Sequence, residues 1–137
     1  MKLFFDSSVI VEIDRGNKEV RKLMKRLVRE EHEILISSVT VAEIMTGAYR
    51  KGKVKETRKV LGQFQWIEMN GKVADRAGEM MAQLYEDGKP IEFQDVAIAA
   101  SAEEENSKAL ITSNTEHFKH IETDVEVQMP EKLQKEV

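Results

Sequence analysis

The fold class this sequence predicts is a three-layer α/β/α domain on a mainly parallel sheet of four to five strands, and three observations point to it. Short apolar runs of strand length, Leu3-Phe4-Phe5 and Ile34-Leu35-Ile36 among them, lack polar alternation, as strands buried on both faces do. Stretches of helical periodicity separate these runs, and strands that alternate with helices at such spacing form parallel sheets covered on both sides. Each run also stops abruptly in small polar residues. In open parallel sheets, functional groups gather outside the carboxyl ends of the strands, where the backbone leaves the sheet.

The first strand lies within the stretch Leu3 to Val11 and halts at Asp6-Ser7-Ser8. Two readings of Asp6 stand at this point: a ligand at a strand end, or a cap or turn residue for whatever follows. Asn17 caps the next helix, whose apolar residues Val20, Leu23, Met24, Leu27 and Val28 keep the spacing of one helical face. Ile34 to Ile36 form the second strand, ending at Ser37-Ser38. Val41, Ile44, Met45 and Ala48 then mark a second helix, weakened at Gly47 and separated by Gly52 from a third that carries Val54, Val60 and Leu61 and ends near Gly62. Trp66, Ile67 and Met69 give the third strand.

Asn70 caps a fourth helix with Val73, Ala74, Ala77, Met81, Leu84 and Tyr85 on its inner side, closed by Gly88-Lys89-Pro90. Phe93 to Ala100 is apolar nearly all round and rich in alanine, which predicts a helix buried within the domain. Ala109 to Thr112 make the fourth strand, ending in Ser113-Asn114-Thr115, and a short last strand surrounds Val125 and Val127. Residues 1–130 then form a single domain, and residues 131–137 a charged C-terminal tail that is frayed or ordered only by a partner. With right-handed crossovers, the polar ends of strands one, two and four open on the same edge of the sheet.

The composition of the 137 residues, 41% hydrophobic and 34% charged, suits one domain with one core. There is no cysteine, which excludes disulfides, thiolate metal sites and a thiol nucleophile, so any metal must be held by oxygen or histidine. No apolar run approaches the length of a signal peptide core or a membrane span, and a cytoplasmic protein without a membrane role is expected. The formal charge of −4 gives no overall attraction to nucleic acid. Basic residues are nevertheless grouped, from Arg15 to Arg29 and from Arg50 to Lys59, either as a local positive rim or as solvated helix faces.

Three carboxylates, Asp6, Glu43 and Asp95, each sit inside an apolar stretch near the polar sheet edge. Acids are rarely buried unless paired or bound to a metal. Asp95 also opens the buried helix, where the positive end of the macrodipole favours an anion. With no arginine or lysine beside any of the three, a divalent cation is the natural counter-charge, and all-oxygen ligation selects Mg²⁺ or Mn²⁺. Asn114, with Thr112 and Ser113 before it and Glu116 just after, adds polar groups at the end of the fourth strand. Glu92 is a further acid of this region, by default a solvated loop residue. The histidines form no ligand set, and only His117 falls near the site.

Four segments in order, Asp6-Ser7-Ser8, Ser37 to Glu43, Asp95 to Ala100 and Ile111 to Phe118, resemble the successive motifs of PIN-domain nucleases, most of all the VapC-type toxins of toxin–antitoxin systems. The resemblance covers essentially the whole chain. It implies a PIN-like domain with Mg²⁺- or Mn²⁺-dependent endoribonuclease activity on single-stranded or looped RNA, usually a homodimer silenced by a cognate antitoxin. Position by position, it makes Asp6, Glu43 and Asp95 the metal-binding acids and Asn114 a catalytic residue, with Ser7, Ser8, Thr112, Glu116 and Glu92 as auxiliaries. Asn114 stands where many members have a fourth aspartate, and an amide supplies no charge unless Glu116 swings in. That departure sustains an alternative, a catalytically weakened PIN-like module that binds nucleic acid or protein. A receiver-like phosphoacceptor domain ranks far behind, because Asp6 is followed by hydroxyls instead of further acids.

Overall fold

The computed structural model describes residues 1–137. Its central strand, β1 (Lys2–Phe5), has β2 (Glu33–Ser37) on one side and β4 (Ala109–Ile111) on the other, and β3 (Gln65–Ile67) and β5 (Glu126–Gln128) form the edges. All pairings are parallel, with Phe4 opposite Leu35 on one side and Leu110 on the other. Side chains of successive strand residues point to opposite faces, and both faces are buried. Leu3, Phe5, Ile34, Ile36 and Ile111 share one core, Phe4, Leu35 and Leu110 the other. That is why the strands read as unbroken apolar runs.

The first core is covered by α1 (Ser7–Asp14), α2 (Lys18–Arg29), α3 (Ser38–Lys51) and α4 (Val54–Leu61), the second by α5 (Gly71–Glu86) and α6 (Phe93–Glu104). The sheet grows outward from β1 to β2 to β3 and then restarts on the other side of β1 with β4. A gap between the connections is left at the carboxyl ends of β1 and β4, the kind of switch point where parallel sheets bind ligands.

β1 stops at Phe5, as expected, with Asp6 at its end. Several other expectations need correction. α1, for which no helix was expected, follows at once: Val9, Ile10 and Ile13 are buried at helical spacing although their β-branched run has the composition of a strand. Val28 and Tyr85 were expected on inner faces but are exposed. Each lies one residue, some 100° of helical turn, past the buried rows ending at Leu27 and Leu84. Ala74 is likewise exposed, and Met80 takes the core position expected of Met81. The buried part of α6 runs from Val96 to Ala102, leaving Phe93 on the surface.

The charged tail is not frayed. Pro130 opens α7 (Pro130–Glu136), Leu133 is 1% exposed in the first core, and the Arg26 guanidinium donates to the carbonyls of Gln134 and Val137. Proline at the first helical position is preorganised for a helix start, and one buried leucine is enough to dock a short helix. No helix is long and apolar enough to cross a membrane.

Candidate functional site

Asp6 occupies the residue between β1 and α1, in the N-cap position of α1, yet its side chain makes no capping bond. Its Oδ2 instead accepts hydrogen bonds from the hydroxyls of Ser8 (2.7 Å) and Thr112 (2.8 Å). Both hydroxyl oxygens are themselves anchored, accepting from the backbone N–H groups of Ser113 (3.0 Å) and Asn114 (3.0 Å) respectively. The ends of β1 and β4 are thereby tied through one carboxylate oxygen, while Oδ1 takes no protein donor and is free for a ligand.

Glu43 comes from α3, whose start is fixed by the Ser37 hydroxyl accepting from Val39 N–H. Asp95 lies in the first turn of α6, three residues after the N-cap Glu92, whose carbonyl accepts from the N–H groups of Asp95 and Val96. α3 and α6 touch, which brings Glu43 toward Asp95. The result is a crevice of about 240 Å³ lined only by polar residues, among them Asp6, Ser7, Ser8, Glu43, Glu92, Asp95 and Asn114.

The electrostatics confirm that the acids feel one another. Burial first, then the negative charges of Asp6, Glu43 and Glu92, push the Asp95 carboxyl up to about 6, against the opposing pull of His117. These terms outweigh the helix dipole that favours the anion at this position. The donor chemistry, carboxylates with a hydroxyl and an amide, matches a hard divalent cation, and the repulsion at Asp95 is what a cation would relieve. No three of the acids and imidazoles close round a common point as a ready ligand set, however. Glu43 and Glu92 are exposed side chains free to rotate, so closure involves their torsions and not the backbone.

Glu116 does not join the crevice. Its carboxylate is held by Lys119 at 2.6 Å, and that hydrogen bond lowers its pKa below the usual range. Thr112 is fully buried and acts through Asp6. One lining residue, Gln94, escaped the sequence reading; His117, expected near the site, lines it, with Nδ1 3.4 Å from Asp95 Oδ2 and Nε2 2.8 Å from Asn114 Nδ2. The two ring nitrogens thus bridge Asn114 and Asp95. Position three after Asn114 in the 3-10 turn Thr115–Phe118 was the available signal for His117.

An acid-lined crevice at the switch point of a parallel α/β sheet defines the class: an α/β domain with its polar side chains gathered where such sheets bind ligands. Residues 3–123 match the family model described as PIN domain, and the chain belongs to that family. Among curated relatives, Ribonuclease VapC2 of Rickettsia felis is 30% identical over 99 residues, 69% of this chain and 73% of the relative. Ribonuclease VapC2 of Haemophilus influenzae is 24% identical over 125 residues, 88% of this chain and 92% of the relative. The fold matches the crystal structure of VapBC2 from Rickettsia felis bound to a promoter DNA fragment, with a TM-score of 0.81 at 23% identity over 94% of this chain and 98% of that one. DNA-bound VapBC from Salmonella typhimurium gives a TM-score of 0.82 at 18% identity over 95% of this chain and 98% of that one.

Proposed function

We propose that this protein is a Mg²⁺- or Mn²⁺-dependent endoribonuclease, the toxin of a VapBC-type pair, acting on single-stranded or looped RNA in the cytoplasm. The observation that carries the reading is that Asp6, Glu43 and Asp95, from three separate elements, line one crevice in a chain of the PIN domain family. A Mg²⁺ or Mn²⁺ ion held by these acids would supply Lewis-acid polarisation of the phosphodiester and a water of lowered pKa.

The protein's own groups do the rest. Ser8 and Thr112 fix Asp6 so that only Oδ1 is offered. The Asn114 amide, held against His117, orients water or a phosphate oxygen at the rim. Single-stranded substrate fits a recessed acidic crevice better than a duplex, whose phosphates are held out of reach. The VapC relatives bear the name ribonuclease, and the matched structures are complexes with a partner protein. For this chain we infer a cognate antitoxin that covers the crevice, and a homodimer as the assembled form. The test is cleavage of a single-stranded RNA with Mn²⁺, lost in Asp6→Asn and Asp95→Asn proteins that melt as the parent does; equal cleavage by either variant would refute the assignment.

The uncharged Asn114 and the open spacing of the acids favour a second reading, a PIN-like module that binds without cutting. Calorimetric titration with Mn²⁺ separates the two, since the module takes up no ion.

A further inference from the structure

Beside the acidic crevice lies a second cleft of about 420 Å³, walled by α1 and α3. The two share Ser7 and Glu43, so they lie side by side and meet at these residues. Their chemistry differs. The crevice has no apolar lining, whereas the cleft has Val11 and Ile44 on its walls and Gly47 on its floor. Both helices run away from the acids and end in cations. Arg15 follows Ser7 by eight residues and Lys51 follows Glu43 by eight, a rise of about 12 Å along each helix. Lys53 stands just beyond.

None of these cations forms an ion pair, although Asp14 and Glu43 line the same cleft. Three unpaired cations at the far end of an apolar slot that begins at the acids match one occupant: a nucleotide of a single strand whose scissile phosphate sits in the crevice. Apolar contact of a base with the aliphatic wall and neutralisation of the neighbouring phosphate are the two contributions by which such a cleft would hold a single strand.

We propose that the α1–α3 cleft is the subsite for the nucleotide next to the scissile phosphate, with Arg15, Lys51 and Lys53 on its phosphate and the Val11–Ile44–Gly47 wall against its base. The proposal takes its ligand from the ribonuclease reading. A polypeptide segment would also fit an apolar slot by shape, but the cations select a polyanion and the position beside the acids selects the substrate strand.

The probe is a short fluorescein-labelled single-stranded RNA whose anisotropy is followed in EDTA, where no metal-dependent cleavage occurs, between about 50 and 200 mM salt. Two variants attack the two terms separately. The pair Lys51→Glu with Lys53→Glu reverses the phosphate charge. Gly47→Leu fills the floor without a charge change, and it should fold, because a Cβ at Gly47 meets nothing within 4 Å and leucine is the better helix former.

Each variant is expected to raise Kd at least about tenfold, and the charge pair also to lower the salt slope by about 1 per lost phosphate contact. Lys72→Ala, on α5, is expected to bind as the parent does. Parent-like binding by Gly47→Leu overturns the proposal, as does parent binding no tighter than that of the charge pair. So does a polyglutamate peptide whose binding alone depends on residues 47, 51 and 53. If the parent binds RNA through this cleft yet never cuts it with Mn²⁺, the ribonuclease reading fails and takes the scissile phosphate of the proposal with it, whereas cutting with Mn²⁺ and parent-like binding by both cleft variants overturns the proposal alone.

Discussion

Thr112, at the end of β4, donates its hydroxyl to Asp6 Oδ2 at the end of β1, a 2.8 Å bond between residues 106 apart in sequence. Thr112 is also the acceptor for Asn114 N–H, so one buried hydroxyl sets both Asp6 and the loop that carries Asn114. Thr112→Val keeps the shape and removes both bonds, leaving a backbone donor unsatisfied. The expected destabilisation is about 1–3 kcal/mol, read from the shift in urea midpoint, together with a fall in RNA cleavage. Thr112→Ser, which keeps the hydroxyl and loses one methyl, should lose only about 0.8 kcal/mol and retain cleavage.

Asp95 makes stability depend on pH in a definite direction. Its carboxyl is raised from 3.8 to about 6 in the folded protein by burial and by Asp6, Glu43 and Glu92. A raised folded pKa means that the folded state holds the proton more tightly than the unfolded chain. The resulting stabilisation is full below the unfolded value and is lost as pH climbs through the folded one. Asp95→Asn has no such loss. Measured by urea unfolding at about pH 4 and about pH 7 without metal, the variant should gain on the parent by ~1–2 kcal/mol between the two, the larger ideal value being reduced by solvent screening. A parent and variant that track each other across this window would show that Asp95 is not charge-frustrated.

A divalent cation should offset that penalty. Mn²⁺ at a hundred times its dissociation constant would stabilise the protein by about 2.7 kcal/mol if it binds the folded state alone. The rise in melting temperature should vanish in Asp6→Asn and shrink in Glu43→Gln, while Glu116→Gln, whose side chain faces Lys119, should behave as the parent.

The sheet was legible in the sequence because strands buried on both faces have no choice but to be apolar, and Leu3 to Phe5 and Ile34 to Ile36 show it. The acids of the crevice were legible for the complementary reason: Asp6 and Asp95 interrupt apolar runs that have no use for a charge. α1 was not, because Val9-Ile10-Val11 has the β-branched composition of a strand and only packing on α2 and the sheet makes it helical. Gln94 was hidden because an exposed polar residue in the first turn of a helix stands apart from nothing around it. α7 was hidden by its charge, since only Pro130 and Leu133 of it are buried and its other ties are Arg26 bonds to backbone carbonyls.

That anchoring gives a test of the C-terminal helix. Leu133 is 1% exposed in the core shared by α2 and the sheet, so Leu133→Ala should lower stability by about 2–5 kcal/mol through lost burial and the cavity left behind. A residue in a frayed tail would change stability by less than about 0.5 kcal/mol. Chemical denaturation of the two proteins side by side decides between an integral helix and a loose end.

Asn114→Asp puts a fourth carboxylate at the rim of the crevice. Without metal, the new anion adds to the charges already acting on Asp95 and removes the amide that contacts His117 Nε2. The apo protein should therefore be less stable at about pH 7 by ~1 kcal/mol, with the deficit shrinking toward about pH 5 as Asp95 takes up its proton. With Mn²⁺ the order reverses, because the added charge is now attractive: the ion should bind about tenfold or more tightly, equivalent to about 1.4 kcal/mol. Calorimetric titration and apo melting curves read the two effects independently. If Mn²⁺ affinity stays that of the parent while apo stability falls, Asn114 lies outside the coordination sphere and its part is confined to orienting water or phosphate.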